Sequence, residues 1–147
     1  CIALHPGSGS TRKNWPLENW RNLIERLGIP VKLIVGEAEL ERWSGPPPAA
    51  WPAELLVSRP LEELVVHLSG CRLFLGHDSG ISHLAAACGA RCVLLFGPTD
   101  PAMWAPPAPH VRVLRHQPDL AALSVDEVMP EVTRAWEDEP RSQIAPE

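Results

Sequence analysis

Apolar and polar positions along this chain fall into blocks whose period changes from one to the next. Short apolar runs recur as CIAL (1–4), VKLIV (31–35), ELLV (54–57), CRLFLG (71–76), CVLLFG (92–97) and VRVL (111–114). Such runs read as strands, and the nearly unbroken ones as strands covered on both faces. Between them the apolar residues take helical spacing. Leu17, Trp20, Leu23, Ile24 and Leu27 share one face over 17–27, with Pro16 suited to the first turn and Gly28 placed to stop the helix. Leu61, Leu64, Val65 and Leu68 do the same over 61–70, and shorter helices are expected at 37–43 and 79–88. A last helix is expected over 124–137, with Ser124 as N-cap, Glu127 at the capping-box position and Pro130 as a kink. Trp20 and Trp136 read as core. Trp15 reads as a support for the loop beside it, and Trp104 either rims a cleft or packs under it.

Strand and helix alternate throughout, which is the signature of an α/β fold with a Rossmann-like, doubly wound parallel sheet. In such sheets ligands lie beyond the carboxyl ends of the strands, at helix N-termini. Three polar loops follow strands and are the places to look: 5–13, 36–39 and 77–83. The proline-rich GPPPAAWP (45–52) is too short for an interdomain linker and reads as a surface loop. Residues 1–137 read as one domain and 138–147 as a flexible charged tail.

Composition narrows the classes. A chain of 147 residues suits one domain able to bury its own core. A net charge of −5 argues against a general nucleic-acid partner. No apolar run reaches the ~20 residues of a membrane span, so no transmembrane segment is expected. The four cysteines form no CxxC pair; Cys71, Cys88 and Cys92 sit among apolar residues and read as small core side chains, which favours a reducing, cytoplasmic setting. The opening CIALHPG has no basic region ahead of an apolar stretch. Because it starts inside a strand-like run, further sequence before Cys1 is expected. Six scattered histidines show no metal-ligand spacing, so no metal is expected.

The loops carry the chemistry. His77-Asp78-Ser79-Gly80 follows a strand and opens a helix, where unpaired N–H groups and the helix dipole favour phosphate; Gly80 lets oxygens approach the backbone. A plain helix cap by Asp78 or Ser79 is the alternative. His83 lies one turn further and, taken alone, reads as structural. Ser8-Gly9-Ser10-Thr11-Arg12-Lys13 combines hydroxyls, small backbone and two cations, the components of a phosphate cradle, although an ordinary solvated loop has the same composition. Neither a P-loop nor G-x-G-x-x-G is present. In Gly36-Glu37-Ala38-Glu39 an acid follows the second strand, where ribose hydroxyls are often held; acids there also serve the helix dipole. Ser79, His83 and Asp78 lie too close in sequence to converge as a hydrolase triad, and no G-x-S-x-G elbow exists.

Together these stretches resemble glycosyltransferase family 9, the bacterial heptosyltransferases of lipopolysaccharide synthesis. HPGSGSTRKNWPLENW (5–20) is similar to the family's loop ending in Lys-x-Trp-Pro. LFLGHDSGISHLAAACGARCVLLFGPTDP (73–101) is similar to its long Gly-Asn-Asp-Ser/Thr-Gly motif, and PLEELVVHLSGCRLF (60–74) to the helix before it. The resemblance implies the C-terminal, donor-binding half of a two-domain GT-B enzyme, inverting and metal-independent, with no cofactor. It implies a nucleotide-sugar donor, ADP-heptose, and a lipid-linked saccharide acceptor held by an N-terminal domain that this chain lacks. It places Ser8, Gly9, Ser10 and Lys13 at the donor phosphates, Asp78, Ser79 and Gly80 at the diphosphate and sugar, His83 at the motif histidine and Glu39 at the ribose. Lys13 is then the stabiliser of the leaving diphosphate, and the catalytic base belongs to the missing domain. His77 departs from the family, which has Asn there. A non-catalytic nucleotide-binding module is the alternative function.

Overall fold

The computed structural model describes residues 1–43 and 51–138. The proline-rich segment expected at 45–52 and the tail expected at 138–147 lie outside the described residues, apart from Trp51, Pro52 and Asp138. Six strands form one sheet: β1 Ile2–Leu4, β2 Val31–Val35, β3 Glu54–Val57, β4 Leu73–His77, β5 Arg91–Phe96 and β6 Val111–Arg115. All pairings are parallel, in the order β3-β2-β1-β4-β5-β6. The helices are α1 Leu17–Leu27, α2 Glu37–Arg42, α3 Leu61–Gly70, α4 Gly80–Ala87, α5 Pro101–Trp104 and α6 Val125–Glu137. The expected α/β class and Rossmann-like winding are what the chain adopts.

Side-chain alternation on the strands divides the interior into two layers. Ile2, Leu4, Leu33, Leu73, Leu75, Val93 and Leu95 face one way, onto Trp20, Leu23 and Ile24 of α1 and Val128 and Val132 of α6. Ala3, Ile34, Phe74, Cys92, Leu94 and Phe96 face the other, onto Leu64 and Leu68 of α3 and Ala85 and Ala86 of α4. Both faces of β1 and β4 are therefore dry, which is why their sequences carry almost no polar residue. Cys71 and Cys92 are buried, as their apolar neighbours suggested, and Cys88 is half-buried.

Local signals account for most boundaries. Gly28 closes α1 in the left-handed region, φ 62°, with its N–H on the Ile24 carbonyl. Ser124 and Glu127 form the expected reciprocal cap of α6. That helix runs on through Pro130 as one element. Pro130 and Asp126 are both exposed, so water can reach the carbonyl that the proline leaves unpaired. β4 begins two residues later than its apolar run suggests and ends on His77, one residue later. Trp20 is buried as expected, whereas Trp136 is only half-buried, under the Arg72 guanidinium at 5.2 Å. The short α5 had no helical pattern to reveal it.

The winding direction reverses between β1 and β4. Loops leaving the carboxyl ends of these neighbours diverge and leave a crevice between them.

Candidate functional site

A cleft of about 860 Å³ opens at that reversal. Ser8, Gly9, Glu39, Ser79, Gly80 and His83 line it, so six predicted residues from three separate loops converge there. Ser10, Lys13 and Asp78 are not among its walls. Lys13 and Asp78 meet each other instead, Nζ to Oδ2 at 3.0 Å, with Asp78 nearly buried and Lys13 partly exposed.

The N-terminus of α4 is built as its sequence suggests. Ser79 is the N-cap, and its Oγ accepts the Ser82 N–H at 3.4 Å. The Ser82 hydroxyl donates to the His77 carbonyl, locking the turn to the strand end. A Cβ placed on Gly80 or on Gly9 meets nothing within 4 Å. Both glycines also line the cleft, and neither carries a side chain that would keep a ligand from the backbone.

The loop after β1 is ordered by its own polar groups. The Ser8 Oγ lies 2.7 Å from the Ser10 carbonyl and 2.6 Å from Asn14 Oδ1, and it accepts the Ser10 N–H at 3.3 Å. Ser10 caps a 3-10 turn over Thr11–Lys13, accepting the Arg12 N–H. Both hydroxyls thus shape the loop, and Ser8 and Gly9 form part of the cleft wall. Trp15 does more than support this loop from beside it. It is buried, its indole N–H donates to the Leu123 carbonyl at 2.8 Å, and its ring meets Trp20 edge-on at 4.8 Å.

Glu39 is 5% exposed. One carboxylate oxygen accepts the Gly36 N–H at 2.8 Å and lies 3.6 Å from His5 Nε2. The His5 imidazole holds the carboxyl down at about 2, against the opposing effect of burial, so Glu39 is an anion in the cleft wall. A Cβ on Gly7 would fall inside contact distance of the same carboxylate, so any larger residue there would displace Glu39.

Sequence reasoning missed three contributors. His5 closes its strand and enters the wall beside Glu39. Arg42, the last residue of α2, reaches back to the carbonyls of Ser8 at 2.6 Å and Gly9 at 3.2 Å. The apolar wall of Ile34, Leu61, Leu64, Ile81 and Leu84 assembles from three elements, β2, α3 and α4. Only His5 carried a local signal, standing at a strand end in His-Pro-Gly. His77 is fully buried, and burial holds its imidazole down at about 3, so it is neutral. Its Nε2 accepts the Trp15 N–H at 2.8 Å and its ring packs edge-on to Trp20. Trp104 does not line the cleft. Its side chain is exposed, and its carbonyl bonds His83 Nε2 at 3.0 Å.

Fold and cleft together define a Rossmann-like α/β domain with a loop-lined cleft at its switch point. The profile described as Glycosyltransferase family 9 (heptosyltransferase) matches residues 1–132, and the chain belongs to that family. It is 37% identical to lipopolysaccharide heptosyltransferase 1 of Escherichia coli K12 over 95 residues, which is 62% of this chain and 30% of that protein. The corresponding enzyme of Pseudomonas aeruginosa is 36% identical over 104 residues, 68% of this chain and 29% of that protein. Among solved structures, the E. coli heptosyltransferase WaaC with ADP superimposes with a TM-score of 0.79 at 27% identity, covering 91% of this chain and 43% of that one. E. coli ADP-heptose LPS heptosyltransferase II shares the fold, with a TM-score of 0.79 at 24% identity over 92% of this chain and 46% of that one. The chain thus spans under half the length of the relatives it matches. Among the described residues, no helix is long and apolar enough to cross a membrane.

Proposed function

We propose that this chain is the nucleotide-sugar-binding half of an inverting, metal-independent GT-B glycosyltransferase that transfers heptose from ADP-heptose to a lipopolysaccharide-type acceptor. The observation that carries the reading is the convergence of the Ser8-Gly9 loop, the α4 N-terminus and the Lys13–Asp78 pair around one cleft of about 860 Å³. The family match, and a relative solved with ADP at 27% identity, support the same ligand class.

In this reading the diphosphate lies between the Ser8-Gly9 backbone and the helix end at Ser79-Gly80, where aligned N–H groups stabilise an anion. Lys13, now held by Asp78, neutralises charge as the diphosphate departs. Preorganised donors aimed at developing charge are the main electrostatic contribution a site of this kind makes. Glu39 accepts from the ribose hydroxyls through the carboxylate edge not taken by Gly36, and His83 completes the sugar end. The acceptor hydroxyl needs a base on the opposite face of the sugar. We assign that base, and the lipid-linked acceptor, to a domain outside this chain, acting at the cytoplasmic face of the inner membrane.

Calorimetric titration with ADP, UDP, GDP and ADP-heptose tests the reading. Selective binding of ADP and ADP-heptose, weakened in Lys13→Ala, is the expected outcome. Equal affinity for all three nucleotides removes the adenine assignment, and absence of binding in the intact protein removes the donor-site reading.

A further inference from the structure

The loop after β1 is gripped from two sides, by a side chain that no sequence motif marks and by one that departs from its motif. From α2, the Arg42 guanidinium donates to two successive carbonyls, Ser8 at 2.6 Å and Gly9 at 3.2 Å. From the end of β4, His77 addresses the carbonyl before them. Its Nε2 accepts the Trp15 N–H at 2.8 Å and so is unprotonated. The ring proton is therefore on Nδ1, which points at the Gly7 carbonyl at 3.3 Å. Three consecutive carbonyls, Gly7 to Gly9, are thus drawn away by protein donors. In a trans peptide the C=O and N–H of one unit point in opposite directions. Fixing these carbonyls turns the N–H groups of the same peptide units the other way; that of Ser10 goes to the Ser8 Oγ at 3.3 Å, which leaves those of Ser8 and Gly9, two residues of the cleft wall.

We propose that Arg42 and His77 are positioning residues of the donor site, a two-sided clamp that presents the Ser8 and Gly9 N–H groups to the diphosphate. The inference rests on the donor-site reading above. It assigns to neither residue a contact with the ligand. It explains why a histidine, and not an apolar residue, fills a fully buried position between Trp15 and Gly7.

The clamp acts on the diphosphate and not on the nucleoside, so ADP and adenosine are the paired probes. By calorimetry, Arg42→Ala and His77→Leu should each weaken ADP about tenfold while adenosine changes by less than about twofold. Arg42→Lys keeps the charge but loses the fork, and should be as weak as Arg42→Ala. His77→Gln retains an acceptor for the Trp15 N–H and should recover most of the ADP affinity. Equal losses for ADP and adenosine, full recovery by Arg42→Lys, or unchanged ADP affinity would each overturn the clamp. Nitrogen-15 NMR supplies an arm free of ligand. His77 should show its proton on Nδ1, and the Trp15 amide should exchange slowly in the wild type and quickly in His77→Leu. A proton on Nε2, or slow Trp15 exchange in both, overturns the clamp. If the wild type binds neither probe, the donor-site reading fails and the NMR arm alone decides the clamp.

Discussion

Lys13 and Asp78 come from loops 65 residues apart and meet at 3.0 Å, at the edge of the cleft and not within its walls. The pair holds the ammonium ready beside the α4 N-terminus. Losing a charged hydrogen-bonding partner of a bound phosphate typically removes about 1.5–3 kcal/mol, so Lys13→Ala should weaken ADP by roughly one to two orders of magnitude in calorimetry. Two buried titrating groups make a second residue-scale prediction. His77 ionises at about 3 in the fold against an ordinary 6.5, so between these values the unfolded chain binds the extra proton. Stability from this group is present above pH 6.5 and falls as the pH drops toward 3. Glu39 ionises at about 2 against 4.5; its contribution is present above pH 4.5 and is lost as the pH falls through 2. Urea denaturation as a function of pH should therefore show a loss beginning near neutrality that is absent in His77→Gln. Glu39→Gln should flatten only the part below pH 4.5.

At the scale of elements, α4 and α6 show two different uses of a helix end. The start of α6 is closed by Ser124 and Glu127, each accepting the other's N–H, and serves stability alone. Ser124→Ala should cost about 1 kcal/mol in chemical denaturation and leave nucleotide binding untouched. The start of α4 is capped by Ser79 but left open at Gly80, where an added methyl meets no protein atom within 4 Å. Gly80→Ala should therefore fold with equal or greater stability, since alanine is the better helix former. In the proposed donor site the same methyl enters the space through which the diphosphate approaches the backbone. A drop in ADP affinity at unchanged melting temperature is the expected result, and unchanged affinity would place the diphosphate elsewhere.

For the whole molecule, the winding reversal between β1 and β4 decides where the loops gather, and the chain covers 43% of the WaaC structure. In the proposed mechanism the leaving group and its stabilisers belong to this chain and the base belongs elsewhere. The isolated chain should accordingly bind ADP yet transfer no sugar, with turnover appearing only in the intact protein. Detectable transfer by this chain alone would mean that a base lies within it.

The sequence by itself determined the six strands and the longer helices, the parallel winding and the three loops that meet at the cleft. Apolar runs long enough only for strands, helical spacing between them and caps at Gly28 and Ser124 are local properties, and local forces act on neighbours in the chain. The stretches 5–20 and 73–101 were legible for the same reason, being continuous in sequence. Tertiary structure alone decided the rest. It brought Arg42 and His77 onto the carbonyls of one loop, paired His5 with Glu39, and assembled the apolar wall from β2, α3 and α4. It also left Trp136 half-exposed, although its spacing on α6 matched the core. These contacts join residues tens of positions apart, and their partners are chosen by strand order. Strand order depends on how both faces of the sheet are buried at once, and no local pattern records that.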